Sequence, residues 1–170
     1  MTLVCLGLIA MTFAFVTACE QKDDSREISS RELAKRFHQS LSNGDIKDIM
    51  QIVDVPFILG SRKKGYYETE DALEKAFREK LSSLRRQIQA SNRLEVVSYE
   101  DFLDGTPIAG KSLEADVAKK RAKVIGFREG GVVVRVYYRN KETGLEDARH
   151  YFLVMHDNQV GDLKITTYFH

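Results

Sequence analysis

A chain of 170 residues with nine phenylalanines, seven tyrosines and no tryptophan is long enough to bury one real core. Its 26 basic and 25 acidic residues nearly cancel to a net charge of +1, so no global field draws nucleic acid, and no nucleic-acid partner is expected. Both cysteines, Cys5 and Cys19, precede the charged stretch that begins at Glu20, so the remainder of the chain has no internal disulfide open to it.

The segment Thr2 to Ala18 has no charged residue and is close to a signal-peptide apolar region in length, at or below the roughly 20 residues of a spanning helix. Val16, Thr17 and Ala18 are small or β-branched and lead directly into Cys19. Small residues let a chain extend into a peptidase site, and the thiol is the good nucleophile nearby. This stretch resembles the lipobox of bacterial lipoproteins. The resemblance implies a diacylglyceryl group on Cys19, cleavage after Ala18, export, and a lipid anchor in the cell membrane or outer membrane. Val-x-Ala also suits ordinary signal-peptide cleavage, and an uncleaved anchor is the third reading. The polar run that follows Cys19 reads as a tether, which divides the chain into a leader (1–18), a tether (19–28) and a single domain (29–170).

Ser29 and Glu32 have capping-box spacing, and Leu33, Phe37 and Leu41, with Ala34 filling in, then form the apolar stripe of a first helix. Ser42-Asn43-Gly44 ends it. Asp45 is set to cap a second helix bearing Ile46, Ile49, Met50 and Val53, which Pro56 stops. A short hairpin follows, with Gly60 and Gly65 around the basic run Arg62-Lys63-Lys64. Thr69 caps a third, long helix lined by Leu73, Ala76, Phe77, Leu81, Leu84 and Ile88.

From Arg93 the apolar period changes to two. "RLEVVSYEDF" reads as a strand, "LDGTPIAGKS" as a loop, and further strands are expected at Arg121 to Arg128, Val132 to Arg139, Glu146 to His156 and in "DLKITTYFH". Leu113 to Val117 fits either a helical turn or a strand entry. The basic run Lys119-Lys120-Arg121-Ala122-Lys123 reads as a solvated edge. Helices first and strands after them is an α+β order.

Helix, "SNGD" turn, second helix, "PF" hairpin, long helix and a strand meander ending in "DLKITTYF" resemble the nuclear transport factor 2-like superfamily, of cystatin-like shape. The resemblance implies three N-terminal helices packed on a curved, mainly antiparallel sheet that forms a cone. It also implies a range of functions, from ketosteroid isomerases, dehydratases and cyclases to non-catalytic envelope domains. The superfamily's enzymes place a carboxylate or histidine base inside the cone beside a polarising tyrosine.

Candidates for such a role are few. Val132, Val134, Val136 and Tyr138 make the better core face of their strand, and Tyr138 beside His150 would be the nearest thing to an acid–base pair; the plainer reading is a satisfied buried hydrogen bond. Asp101 is a candidate carboxylate at the cavity mouth. His38, at the rim of the first helix, reads as a residue that reaches to solvent. His150 and His156 lie about 20 Å apart at ~3.3 Å per strand residue, so no metal site is expected, and no cofactor motif is present. The apolar second face of Arg149 to Met155 raises a homodimer through the sheet. The expected function is a membrane-anchored binding module for a small apolar molecule or a protein. The alternatives are an isomerase-like or dehydratase-like enzyme using His150 or Asp101 as base, and a structural accessory protein of the envelope.

Overall fold

The structure, a computed structural model, describes residues 25–60, 65–87, 91–105, 113–139 and 146–169. The leader, Cys19, the basic turn at 61–64, Ile88, the loop at 106–112 and the turn at 140–145 lie outside the described residues.

Helix α1 already runs at residue 25 and continues to 43. Ser29 is therefore not its cap. The Ser29 hydroxyl donates back to the Ser25 carbonyl at 2.9 Å, and the Ser30 hydroxyl to that of Arg26 at 2.7 Å, the habit of serines inside a helix. Residues 25–28 thus belong to the folded unit and not to a tether. Arg26 donates to Asp157 at 2.9 Å and also to the Gly130 carbonyl, tying the start of α1 to distant parts of the chain. Gly44, at φ +79°, supplies the turn after α1.

Asp45 accepts from the Asp48 amide at 3.0 Å and caps α2 (Ile46–Ile52) as its sequence position foretold. The chain turns extended at Val53, so Pro56 falls inside strand β1 (Val53–Leu59), which pairs with β2 (Tyr66–Tyr67) as the expected hairpin. Thr69 accepts from Ala72 at 3.4 Å ahead of α3 (Glu70–Gln87), which buries Leu73, Ala76, Phe77 and Leu84.

Two expectations fail between β3 (Ser91–Ser98) and β4 (Val132–Arg139). "YEDFL" is the short helix α4 (Tyr99–Leu103), because Ser98 accepts from the Asp101 amide at 3.0 Å and starts a helical turn. The strand anticipated at Arg121 to Arg128 is instead helix α5 (Ala115–Ile125), closed by left-handed Gly126, whose amide donates to Ala122. Ala118 and Ala122, one turn apart, are buried by the close approach of α5 to the sheet.

β5 (Glu146–Asp157) and β6 (Leu163–Phe169) complete one six-stranded mixed sheet of order β2-β1-β6-β5-β4-β3. β3 to β6 form an antiparallel meander, and β1 lies parallel to β6. Alternation along the strands sorts the core into two layers. Val132, Val134, Val136, Tyr151, Leu153 and Met155 pack with α1, α2 and α3. Val97, Val133 and Val154 turn the other way and meet Phe102 of α4, Phe127 and the two alanines of α5. The residues that raised a homodimer, Tyr151, Leu153 and Met155, are thus buried in the chain's own core. The protein is an α+β fold with helices on both faces of its sheet.

Candidate functional site

One buried polar side chain beside the larger core layer is a residue that the sequence reading placed in solvent. His38 follows Ala34 by one turn of α1 and shares its buried side. Its Nδ1 stands 2.9 Å from the Tyr151 hydroxyl, and the two rings lie nearly parallel, at 9° with centroids 6.1 Å apart. Tyr168 of β6 packs against Tyr151 at 5.0 Å and against Phe37 at 6.0 Å. Phe77 bridges Phe37 and Phe57 edge to face. His38 is therefore an interior residue, 6 % exposed, because the buried face of α1 is wide enough to take it in beside Ala34, Phe37 and Leu41. Two cues were in the sequence: the Ala34-to-His38 spacing, and the parity of Tyr151 with Leu153 and Met155.

The residues of the anticipated constellation are spread over β4, β5 and α4. His150 pairs in register with Tyr137, Tyr138 pairs with Ser91, and the ladder shifts before Arg139. The side chains of Tyr138 and His150 lie outside the described residues. Asp101 is exposed on the first turn of α4, where its carboxylate accepts from the Ser98 hydroxyl at 2.8 Å. Ser98 pairs with Val132, five residues along β4 from Tyr137, which puts about 16 Å of strand between them.

On the sheet face opposite the larger core, beyond the α4–α5 layer, a charged and aromatic row follows the strand register. Arg93 lies over the Tyr137 ring at 3.8 Å, and Arg135 stands 4.6 Å from that ring and 5.4 Å from Phe152. The Tyr137 hydroxyl donates to Glu95 at 2.5 Å. Burial, and then the hydrogen bond to Glu95, push the Tyr137 hydroxyl above its ordinary pKa.

A third polar group joins α5 to the sheet. His156 of β5, 4 % exposed, donates from Nε2 to the Gly126 carbonyl at 3.2 Å and lies against Phe127. Burial, and then the Arg128 charge, hold its pKa down to about 4. Gly131 leaves room for the ring: a Cβ there would stand 2.3 Å from His156 Cε1.

The surface offers an open cleft of about 610 Å³ between the start of α1 and the β5–β6 turn, bordered by Arg26, Glu32, Arg36, Asp157, Asp162 and Leu163. Arg36 is held by Asp48, whose carboxylate this hydrogen bond and that of Ser40 keep below the usual pKa. Among the described residues no group of three or more His, Cys, Asp or Glu side chains could hold a metal ion, and no helix is long and apolar enough to cross a membrane.

No protein-family model matches the chain, and no curated protein matches it. Among solved structures it is similar to a Nostoc punctiforme protein of unknown function with a cystatin-like fold, at 14 % identity and a TM-score of 0.49, over 84 % of this chain and 87 % of that one. It is also similar to a candidate ketosteroid isomerase from Shewanella frigidimarina, at 11 % identity and a TM-score of 0.44, over 83 % of this chain and 93 % of that one.

Proposed function

We propose that the chain is an exported lipoprotein, held to a bacterial membrane through acylated Cys19, whose cone-shaped nuclear transport factor 2-like domain is a non-catalytic binding module working from its surface. The lipobox-like Val-Thr-Ala-Cys supports the anchor. The observation that carries the surface reading is the packing of Phe37, Phe57, Phe77, Tyr151 and Tyr168, all fully buried against one another. A small apolar ligand inside the cone would have to displace side chains whose burial stabilises the fold by roughly 2 kcal/mol or more each. Binding is therefore assigned to the outside, with the polar cleft beside α1 as the site for a protein segment.

Native mass spectrometry of the mature chain, extracted from its host membrane in mild detergent, tests this. The expected result is a non-covalent protein partner and no retained small molecule. A stoichiometric small-molecule adduct would overturn the surface reading, and a chain with no partner at all would favour a purely structural role.

The enzyme alternative is favoured by one observation, the 2.9 Å approach of His38 to Tyr151. An isomerase or dehydratase of this kind would use His38 as base and Tyr151 as the polarising hydroxyl. It requires a path by which substrate and solvent reach the pair. Proton exchange of the His38 ring that is fast on the NMR timescale supports this alternative, and a ring closed to solvent removes it.

A further inference from the structure

We propose that the outward face of α5 is a docking surface for anionic phospholipid, which would lay the domain on the membrane that anchors it. The buried side of α5 is defined by Ala118 and Ala122. Its other side exposes Lys119, Lys120, Arg121 and Lys123, with Val117 and Val124 among them at 38 % and 55 % exposure. Elsewhere on the described surface four arginines are matched by acids, Arg26 with Asp157, Arg31 with Glu27, Arg36 with Asp48 and Arg78 with Glu74. Among the described residues the four cations of α5 form no such pair. The acids of this element, Glu114 and Asp116, sit at its N-terminal end. The negative end of the helix accounts for Lys123, within the last turn, but not for Lys119 and Lys120 in mid-helix. In a chain whose net charge is only +1, this is a local concentration of positive charge flanked by two apolar side chains, the pattern of a surface that meets anionic headgroups.

Chain length points to the same occupant. This part of the argument rests on the lipid-anchor reading above. From Cys19 to Ser25, where the described helix begins, six residue steps reach at most about 22 Å. The next residue, Arg26, donates to the Gly130 carbonyl, in the turn that follows α5. An anchor at Cys19 thus holds the basic, C-terminal half of α5 close to the bilayer, within reach of its surface potential.

The test is lysine acetylation of the full-length protein reconstituted into vesicles of phosphatidylethanolamine with phosphatidylglycerol, compared with vesicles of phosphatidylethanolamine with phosphatidylcholine. Exposed Lys35 and Lys75, on α1 and α3, serve as internal controls. In the anionic vesicles Lys120 and Lys123 are expected to react at least about fivefold more slowly relative to the controls, with the difference absent in neutral vesicles and removed by high salt. The double variant Lys120→Glu, Lys123→Glu should return Lys119 to the control rate. Equal rates in both lipids, or slowing that ignores lipid charge, would overturn the docking surface. The intact mass of the same sample reports acylation of Cys19 separately. Slowed lysines on an unacylated chain would sink the anchor and leave the surface standing, and unslowed lysines on an acylated chain would do the reverse.

Discussion

His38 of α1 and Tyr151 of β5 meet at 2.9 Å beside the larger core layer, so a buried polar contact joins the first helix to a central strand. Tyr151→Phe removes that partner from a buried imidazole and should cost about 1–3 kcal/mol in urea unfolding. Adding His38→Phe should recover much of the loss, since replacing both members of a buried pair is far less costly than replacing one.

The His156 imidazole predicts a pH dependence of stability. Its pKa is about 4 in the fold, against 6.5 for a free histidine, so the unfolded chain binds the extra proton between those values. Stability is fully present above pH 6.5 and should fall as pH drops through about 4, while His156→Gln, which keeps a donor toward Gly126, should flatten that slope. The depressed carboxylate of Asp48 loses its own contribution only lower, below its usual 3.8. Urea midpoints from pH 7.5 to 4.5 separate the two, and an unchanged slope in His156→Gln would contradict the assignment.

Gly131 should tolerate no side chain while His156 is present. The Cβ of Gly131→Ala would lie 2.3 Å from Cε1 and 2.6 Å from Nδ1 of the ring, which predicts a loss of about 1–3 kcal/mol. Combining it with His156→Ala should relieve most of the clash, leaving less than the sum of the two single losses in a double-mutant cycle.

Arg26 tests where the folded unit begins. Its link to Asp157 is partly exposed, so Arg26→Ala should lower stability by only about 1 kcal/mol, but the loss should come with faster amide exchange over residues 25–30. A variant with neither effect would return those residues to the tether.

Much of the larger core was legible before any coordinates, because Phe37, Leu41, Ile49, Leu73 and Phe77 repeat at helical spacing with readable caps at Asp45 and Thr69. α5 was not. Residues 121–128 alternate well enough to pass for a strand, and the face that decides the matter consists of Ala118 and Ala122, whose small side chains carry little apolar signal yet are buried where the helix lies close on the sheet. His38 was misplaced for a related reason. It stands beside the stripe of Phe37 and Leu41, and the spacing of that stripe does not say how wide a face of the helix the sheet covers. For Tyr138 and His150 the sequence leaves strand register open: the backbone ladder sets Tyr137 opposite His150, and periodicity alone carries no record of register.

The most direct test of the central claim is the intact mass and N-terminal sequence of the mature protein isolated from the membrane fraction of a bacterial host. A chain that begins at Cys19 and carries the added mass of a diacylglyceryl group, lost in Cys19→Ser, is the predicted result. A chain that begins elsewhere, or one with an unmodified Cys19 thiol, would contradict it.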